Sequence, residues 1–250
     1  MYRQVLEDTF ADAFDLWKGR KKMLKSIWNY FTKLERGIWC GSTGLILFSF
    51  LVFDRENYLT LGASLIGVTS ILLNAKGNPL GQLLMVIFSM VYGFISYRFS
   101  YYGEMMTYLG MTMPMAIFAL IAWLKNPFQG KKSEVAVNCI SSGEVVFMWL
   151  LTVLITAVFY FVLAYFNTAN LIPSTISVTT SFVAAYLTFR RSPYFSLAYG
   201  ANDVVLIVLW VLAAMEDIRY VSVVVCFVAF LVNDIYGFVS WKKMEQRQKK

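Results

Sequence analysis

Apolar positions in this chain gather into long unbroken runs rather than alternating with polar ones, and charged or turn-forming residues separate the runs. The pattern predicts eight helices, at about 38–53, 58–74, 80–97, 104–124, 145–166, 171–189, 195–214 and 218–241. Most of these reach the roughly 17 to 25 residues that a helix needs to cross a hydrocarbon core. The fold class expected is an all-α polytopic membrane protein.

Sorting the 22 Lys and Arg residues onto alternate sides of the spans tests the set. Nineteen fall on the side of the N-terminus, and only Arg55, Arg98 and Arg219 on the other. Cytoplasmic loops carry such an excess, so both ends are expected to be cytoplasmic. No cleavable signal pattern is read in the first 30 residues. The segment 1–36, with a Lys-rich stretch beside Trp17, Trp28 and Tyr30, reads as a cytoplasmic amphipathic helix at the lipid interface. Residues 37–250 form the transmembrane domain.

Inside this frame the chain repeats. NAKGNP (74–79) and TFRRSP (188–193) each join two spans with a basic residue and a proline at matching places, 114 residues apart. Trp123 and Trp241 correspond at an offset of 118. The expected organisation is an extra first helix, a three-helix half at about 58–124, a connecting helix at about 145–166, and a second three-helix half at about 171–241. The connector leaves both halves in the same orientation, as in parallel-repeat transporters.

Composition changes the picture by what it removes. Charged residues are 15% of the chain, against about 25% in soluble domains. There is no histidine, and the three cysteines have no CxxC spacing, so no metal site, cofactor or catalytic residue is expected. The charge of +7 reads as topology and not as a nucleic-acid footprint.

Candidate chemistry lies in the spans. Asp203 and Asp234 sit well inside helices that hold no Lys or Arg, and an intramembrane carboxylate needs a hydroxyl, amide, ligand or proton as partner. Ser196, Tyr199, Asn202 and Asp203 share one helical face, and Asn233, Tyr236, Gly237 and Ser240 share another. The first half offers Gln82, Ser89, Tyr92, Thr107 and Met115, with Pro114 loosening its span. Such a set suits a small neutral or singly charged molecule with ring and hydroxyl groups, held between the halves. Single Ser and Thr residues also serve as interhelical glue. Trp39, Trp123 and Trp241, at span ends, are expected to anchor at the membrane interface. The methionines at 105, 106, 111, 113 and 115 read as adaptable packing, and Asn78-Pro79 as a helix start.

These residues carry a family resemblance. YYGEMMTYLGMTMPM (101–115), AWLKNPF (122–128), RRSPYFSLAYGANDVVLIVLW (190–210) and NDIYGFVSWKK (233–243) resemble segments of the PnuC family of bacterial nicotinamide riboside transporters. The resemblance implies a SWEET-like 3+1+3 helix arrangement. It also implies facilitated diffusion of nicotinamide riboside across the bacterial inner membrane without ATP, the substrate being trapped by phosphorylation inside. Asn202 matches a family position that faces the ligand. Many members carry a WxxW pair just before it, where this chain has Phe195 and Ala198.

On this reading Asn202, Tyr199, Gln82 and Asn233 hydrogen-bond the riboside, Phe195, Tyr92 and Met115 pack on its ring, and Asp203 counters its positive charge. Alternatives are a proton-coupled carrier, a facilitator of thiamine or riboflavin with the same architecture, a sugar carrier, a scaffold and an intramembrane enzyme. The partners expected are the small molecule and the bilayer, with a homo-oligomer, such as a trimer, compatible.

Overall fold

The computed structural model describes residues 28–98, 102–168 and 170–250. The chain divides into two compact units, 1–40 and 41–250. Most of the segment expected to be an amphipathic helix, residues 1–27, lies outside the described residues. In the rest of the first unit the Thr32 amide donates to Glu35 Oε2 (2.7 Å) and the Glu35 amide to Thr32 Oγ1 (3.2 Å). This reciprocal cap satisfies two backbone donors and starts α1, Lys33–Phe53. Arg36 lies over the Trp28 ring, 5.2 Å from its centroid.

Among the described residues, eight helices are long and apolar enough to span a membrane. After α1 come α2 (Tyr58–Ala75), α3 (Leu80–Arg98), α4 (Tyr102–Lys125), α5 (Ser142–Tyr165), α6 (Leu171–Phe189), α7 (Phe195–Glu216) and α8 (Val221–Gln248). The expected spans are all present. Helix is favoured because each backbone polar group finds its partner inside the segment, where lipid offers none.

Six helices close into a ring in the order α2, α3, α4, α6, α7, α8, with α8 returning to α2. α5 packs outside the ring on α6 and on the start of α4. Its Phe147, Trp149, Leu150, Val153, Leu154 and Phe161 are exposed, which suits a helix bathed in lipid. Small residues let the ring close. A Cβ on Gly67 would come within 2.5 Å of the Phe230 ring, and one on Gly237 within 2.7 Å of Ser196 Oγ.

The repeated hexapeptides fold alike. Gly77 donates to the Asn74 carbonyl and Arg191 to that of Thr188, both at 2.9 Å; Asn78 donates to Leu73 and Ser192 to Leu187. Gly77 and Arg191 both take left-handed φ, +66° and +58°. The tryptophans then cross between the halves. Trp123 Nε1 donates to the Thr188 carbonyl (2.9 Å), and Trp241 Nε1 to the Asn74 carbonyl (2.7 Å). Residues 74 and 188 correspond in the repeat, as do 123 and 241, so one contact is made twice.

This corrects the expectation of interfacial anchoring for Trp123 and Trp241, because both are wholly buried. The apolar ring and single N–H of tryptophan suit a lipid interface. They equally suit a helix–helix seam that offers one free carbonyl lone pair, and here the seam takes them. Their rings lie 5.4 Å apart, with Phe195 edge-on to Trp241 at 4.8 Å.

A strap the apolar pattern does not announce ties this end together. Residues Pro127–Phe128 and Lys131–Val135 form a two-stranded antiparallel hairpin. At its end the Val135 amide donates to the Gly77 carbonyl (2.9 Å), and beyond it the Asn138 amide to the Arg191 carbonyl (3.0 Å), touching both repeated turns at the matching residue. Arg190 pairs with Glu144 at the start of α5, its Nη2 donating to Oε2 at 2.9 Å. That carboxylate raises the Arg190 guanidinium above its ordinary pKa, whereas burial and the neighbouring Arg190 lower that of Arg191.

Candidate substrate cavity

The ring surrounds a cavity with an open mouth, its walls drawn from α2, α3, α4, α6, α7 and α8 with Leu163 of α5. One end is floored by Phe195, beside the tryptophan pair. Along α7 the wall continues through Tyr199, Asn202, Asp203 and Leu206 to Trp210. These positions recur at three and four residues, one stripe of a straight helix turned inward.

Asn202 is 5% exposed, and its carbonyl is tied to α6. Thr180 Oγ1 (2.8 Å) and Ser177 Oγ (3.2 Å) can both donate to Oδ1. The two amide N–H groups are then the donors left for a bound molecule. Asp203 on α7 and Asp234 on α8, each 4% exposed, both line the cavity. Asp203 Oδ2 is buried with no partner.

Opposite this acidic wall, Tyr108 and Thr112 reach the cavity from a π-helical turn, Tyr108–Thr112, in α4. Pro114 supplies no N–H, so the Gly110 carbonyl loses its usual helical donor and the register widens. The Thr112 hydroxyl donates to the Thr107 carbonyl, five residues back (3.2 Å). The sequence reading that Pro114 loosens its span thus has a definite form.

Of the ten proposed site residues, Phe195, Tyr199, Asn202, Asp203 and Thr107 line the cavity. The others lie elsewhere. Gln82 Nε2 donates to Asn74 Oδ1 (2.9 Å), and it is Asn74 that meets the cavity. The Ser89 hydroxyl bonds back to the Met85 carbonyl (2.9 Å). Met115 packs on the cluster around Trp123 and Trp241. Asn233, wholly buried, donates to Ser42 Oγ of α1 (2.8 Å) and to the Ala229 carbonyl.

Tyr92 lines a second space, a vestibule of about 640 Å³ at the opposite end of the ring, with Asp54, Asn57, Trp210, Asp217 and Arg219. There Arg219 pairs with Asp217 and holds its carboxyl below the ordinary value.

Sequence reasoning passed over Asn74, Tyr108, Ser177, Trp210 and Glu104 as cavity residues. Glu104 lies in the first turn of α4. Its three-residue step to Thr107 is the signal that could have placed it on the inner face.

The charge is one-sided. The cavity wall holds Glu104, Asp203 and Asp234 and, among the described residues, no Lys or Arg. Aromatic rings line it throughout, including Phe88, Tyr108, Phe195, Tyr199 and Trp210. Fold and site together define a class: a polytopic helical membrane transporter with an aromatic, acid-lined solute cavity.

A family model described as nicotinamide mononucleotide transporter matches residues 57–243, and the chain belongs to that family. A relative named nicotinamide riboside transporter PnuC, from Neisseria mucosa, is 24% identical over 91% of this chain and 86% of its own length. A second of that name, from Haemophilus influenzae, is 22% identical over 77% of this chain and 82% of its own. The fold matches a crystal structure described as the vitamin B3 transporter PnuC, with a TM-score of 0.74 and 23% identity, over 87% of this chain and 94% of that one. A family of transporters agrees with the expectation that the chain is not an enzyme.

Proposed function

We propose that this protein carries nicotinamide riboside across the cytoplasmic membrane of a bacterium by facilitated diffusion, the solute being trapped inside by phosphorylation. The observation that carries the reading is the acid-only, aromatic cavity. The riboside is a pyridinium cation with a flat ring, which rings of tyrosine and tryptophan and the carboxyl groups of Asp203 and Asp234 both favour. The mononucleotide adds a phosphate. A doubly ionised phosphate among three acids, with no Lys or Arg to meet it, would be desolvated against like charge. The relatives' names favour the same member of the pair.

In this reading Asn202 donates to the carboxamide or a ribose hydroxyl, and Phe195 and Tyr199 pack on the ring. Asp203 with Asp234 supplies the counter-charge. Gln82 and Asn233 support the wall from behind rather than touching the solute. The two three-helix halves act as a parallel repeat about the Trp123–Trp241 pair, and both termini face the cytoplasm, which the distribution of Lys and Arg supports.

The test is uptake by proteoliposomes of purified protein. Labelled riboside should enter saturably and the mononucleotide should not compete at a hundredfold excess. Uptake of the mononucleotide at a comparable rate contradicts the reading.

A second reading, proton coupling, is favoured by the two intramembrane acids, Asp203 and Asp234, on one cavity wall. It requires that an imposed pH gradient drive accumulation; equal uptake with and without the gradient rejects it.

A further inference from the structure

The central cavity and the vestibule meet at two residues only among those that line them: Glu104 in the first turn of α4 and Trp210 in α7 border both spaces. A solute passing from one to the other passes between this carboxylate and this indole. Building on the transport reading above, we propose that Glu104 is the residue that selects for positive charge at this passage, admitting a planar aromatic cation against the Trp210 ring.

Its lack of a partner sets Glu104 apart from the other acids of the vestibule. Asp54 accepts from Asn57 Nδ2 at 2.8 and 2.9 Å, and Asp217 is held by Arg219. Among the described residues no hydrogen bond or ion pair engages the Glu104 carboxylate. Glu104 is partly exposed where the two spaces meet, and an unpaired carboxylate there attracts a passing cation.

Packing holds it at the passage. A Cβ on Gly103 would lie 2.0 Å from Thr168 Oγ1 and 2.8 Å from Leu163 Cδ2, so only glycine lets the start of α4 seat this closely. The next side chain is thereby fixed toward the two spaces. On the other side Trp210 leans on Tyr220, with ring centroids 5.4 Å apart, and Tyr92 and Tyr108 lie ring to ring at 4.9 Å. An acid facing an indole is the combination that attracts a flat organic cation.

The test compares two solutes of nearly the same shape in proteoliposomes: oxidised nicotinamide riboside, a cation, and its dihydro form, which is neutral. For Glu104→Gln, kcat/KM for the cation should fall about tenfold, the lower end of what one-signed charge in a cleft contributes. The neutral form should stay within about twofold by the same argument. Glu104→Asp, which keeps the charge, should retain the preference. The rate for the cation should fall with added salt in the wild type and lose that slope in Glu104→Gln.

Equal falls for both solutes, an unchanged preference, or an unchanged salt slope each overturn the role of Glu104. Failure of the wild type to carry the riboside at all would instead overturn the transport reading.

Discussion

At the scale of single residues, the account turns on groups that a membrane interior makes costly. Asp203 and Asp234 are conspicuous in the sequence because each lies in an apolar stretch with no basic residue near it, and the structure puts both on the cavity wall. Either acid can counter the cation if the other is neutralised. Asp203→Asn and Asp234→Asn should therefore each weaken riboside binding by less than the double variant, which should lose at least about tenfold, or ~1.4 kcal/mol. Titration of the three purified variants checks this, and equal losses for one single and the double would assign the charge to one residue. Asn202→Ala should cost about 1 kcal/mol, the net worth of one hydrogen bond, seen as a roughly fivefold weaker dissociation constant. Spacing placed Asn202 and Asp203 because a helical stripe is legible in sequence. It could not tell Asn233 from Asn74, since both are polar residues on inward stripes, and only the tertiary partners, Ser42 for one and the cavity for the other, separate them.

At the scale of elements, the spans were legible because lipid demands continuous helix, and the eight apolar runs state its length. What the runs did not state was irregularity and reach. The hairpin strap rests on hydrogen bonds to two turns distant in sequence, and the tryptophans' carbonyl partners lie 65 and 167 residues away. Trp123→Phe and Trp241→Phe each remove one such bond, at about 1 kcal/mol. Because the contact is made twice, thermal unfolding of the two variants should show nearly equal drops in Tm. A drop in only one would break the equivalence of the halves. Pro114→Ala restores the missing N–H and lets α4 return to regular helix. It should raise Tm and slow transport, since Tyr108 and Thr112 would turn away from the cavity. Faster transport would show that the wide turn does not shape the site.

At the scale of the whole molecule, the central cavity and the vestibule adjoin at Glu104 and Trp210, which border both. In the orientation proposed from the Lys and Arg distribution, the strap lies inside and the vestibule outside. Native Cys139, exposed next to the strap, reports this directly. In intact cells lacking Cys40, a membrane-impermeant maleimide should leave Cys139 unlabelled until the membrane is permeabilised, and should label Arg219→Cys at once. The reverse pattern would invert the protein.

The claim at the centre of the account is that a cavity of acids and aromatic rings takes the cationic riboside and refuses its phosphate ester. Titration calorimetry of the detergent-purified protein tests it most directly, with nicotinamide riboside, nicotinamide mononucleotide, thiamine and riboflavin offered in turn. Saturable heat for the riboside, with none for the mononucleotide at the same concentrations, is the result the account requires. Binding of the mononucleotide as tightly as the riboside, or of riboflavin alone, would contradict it.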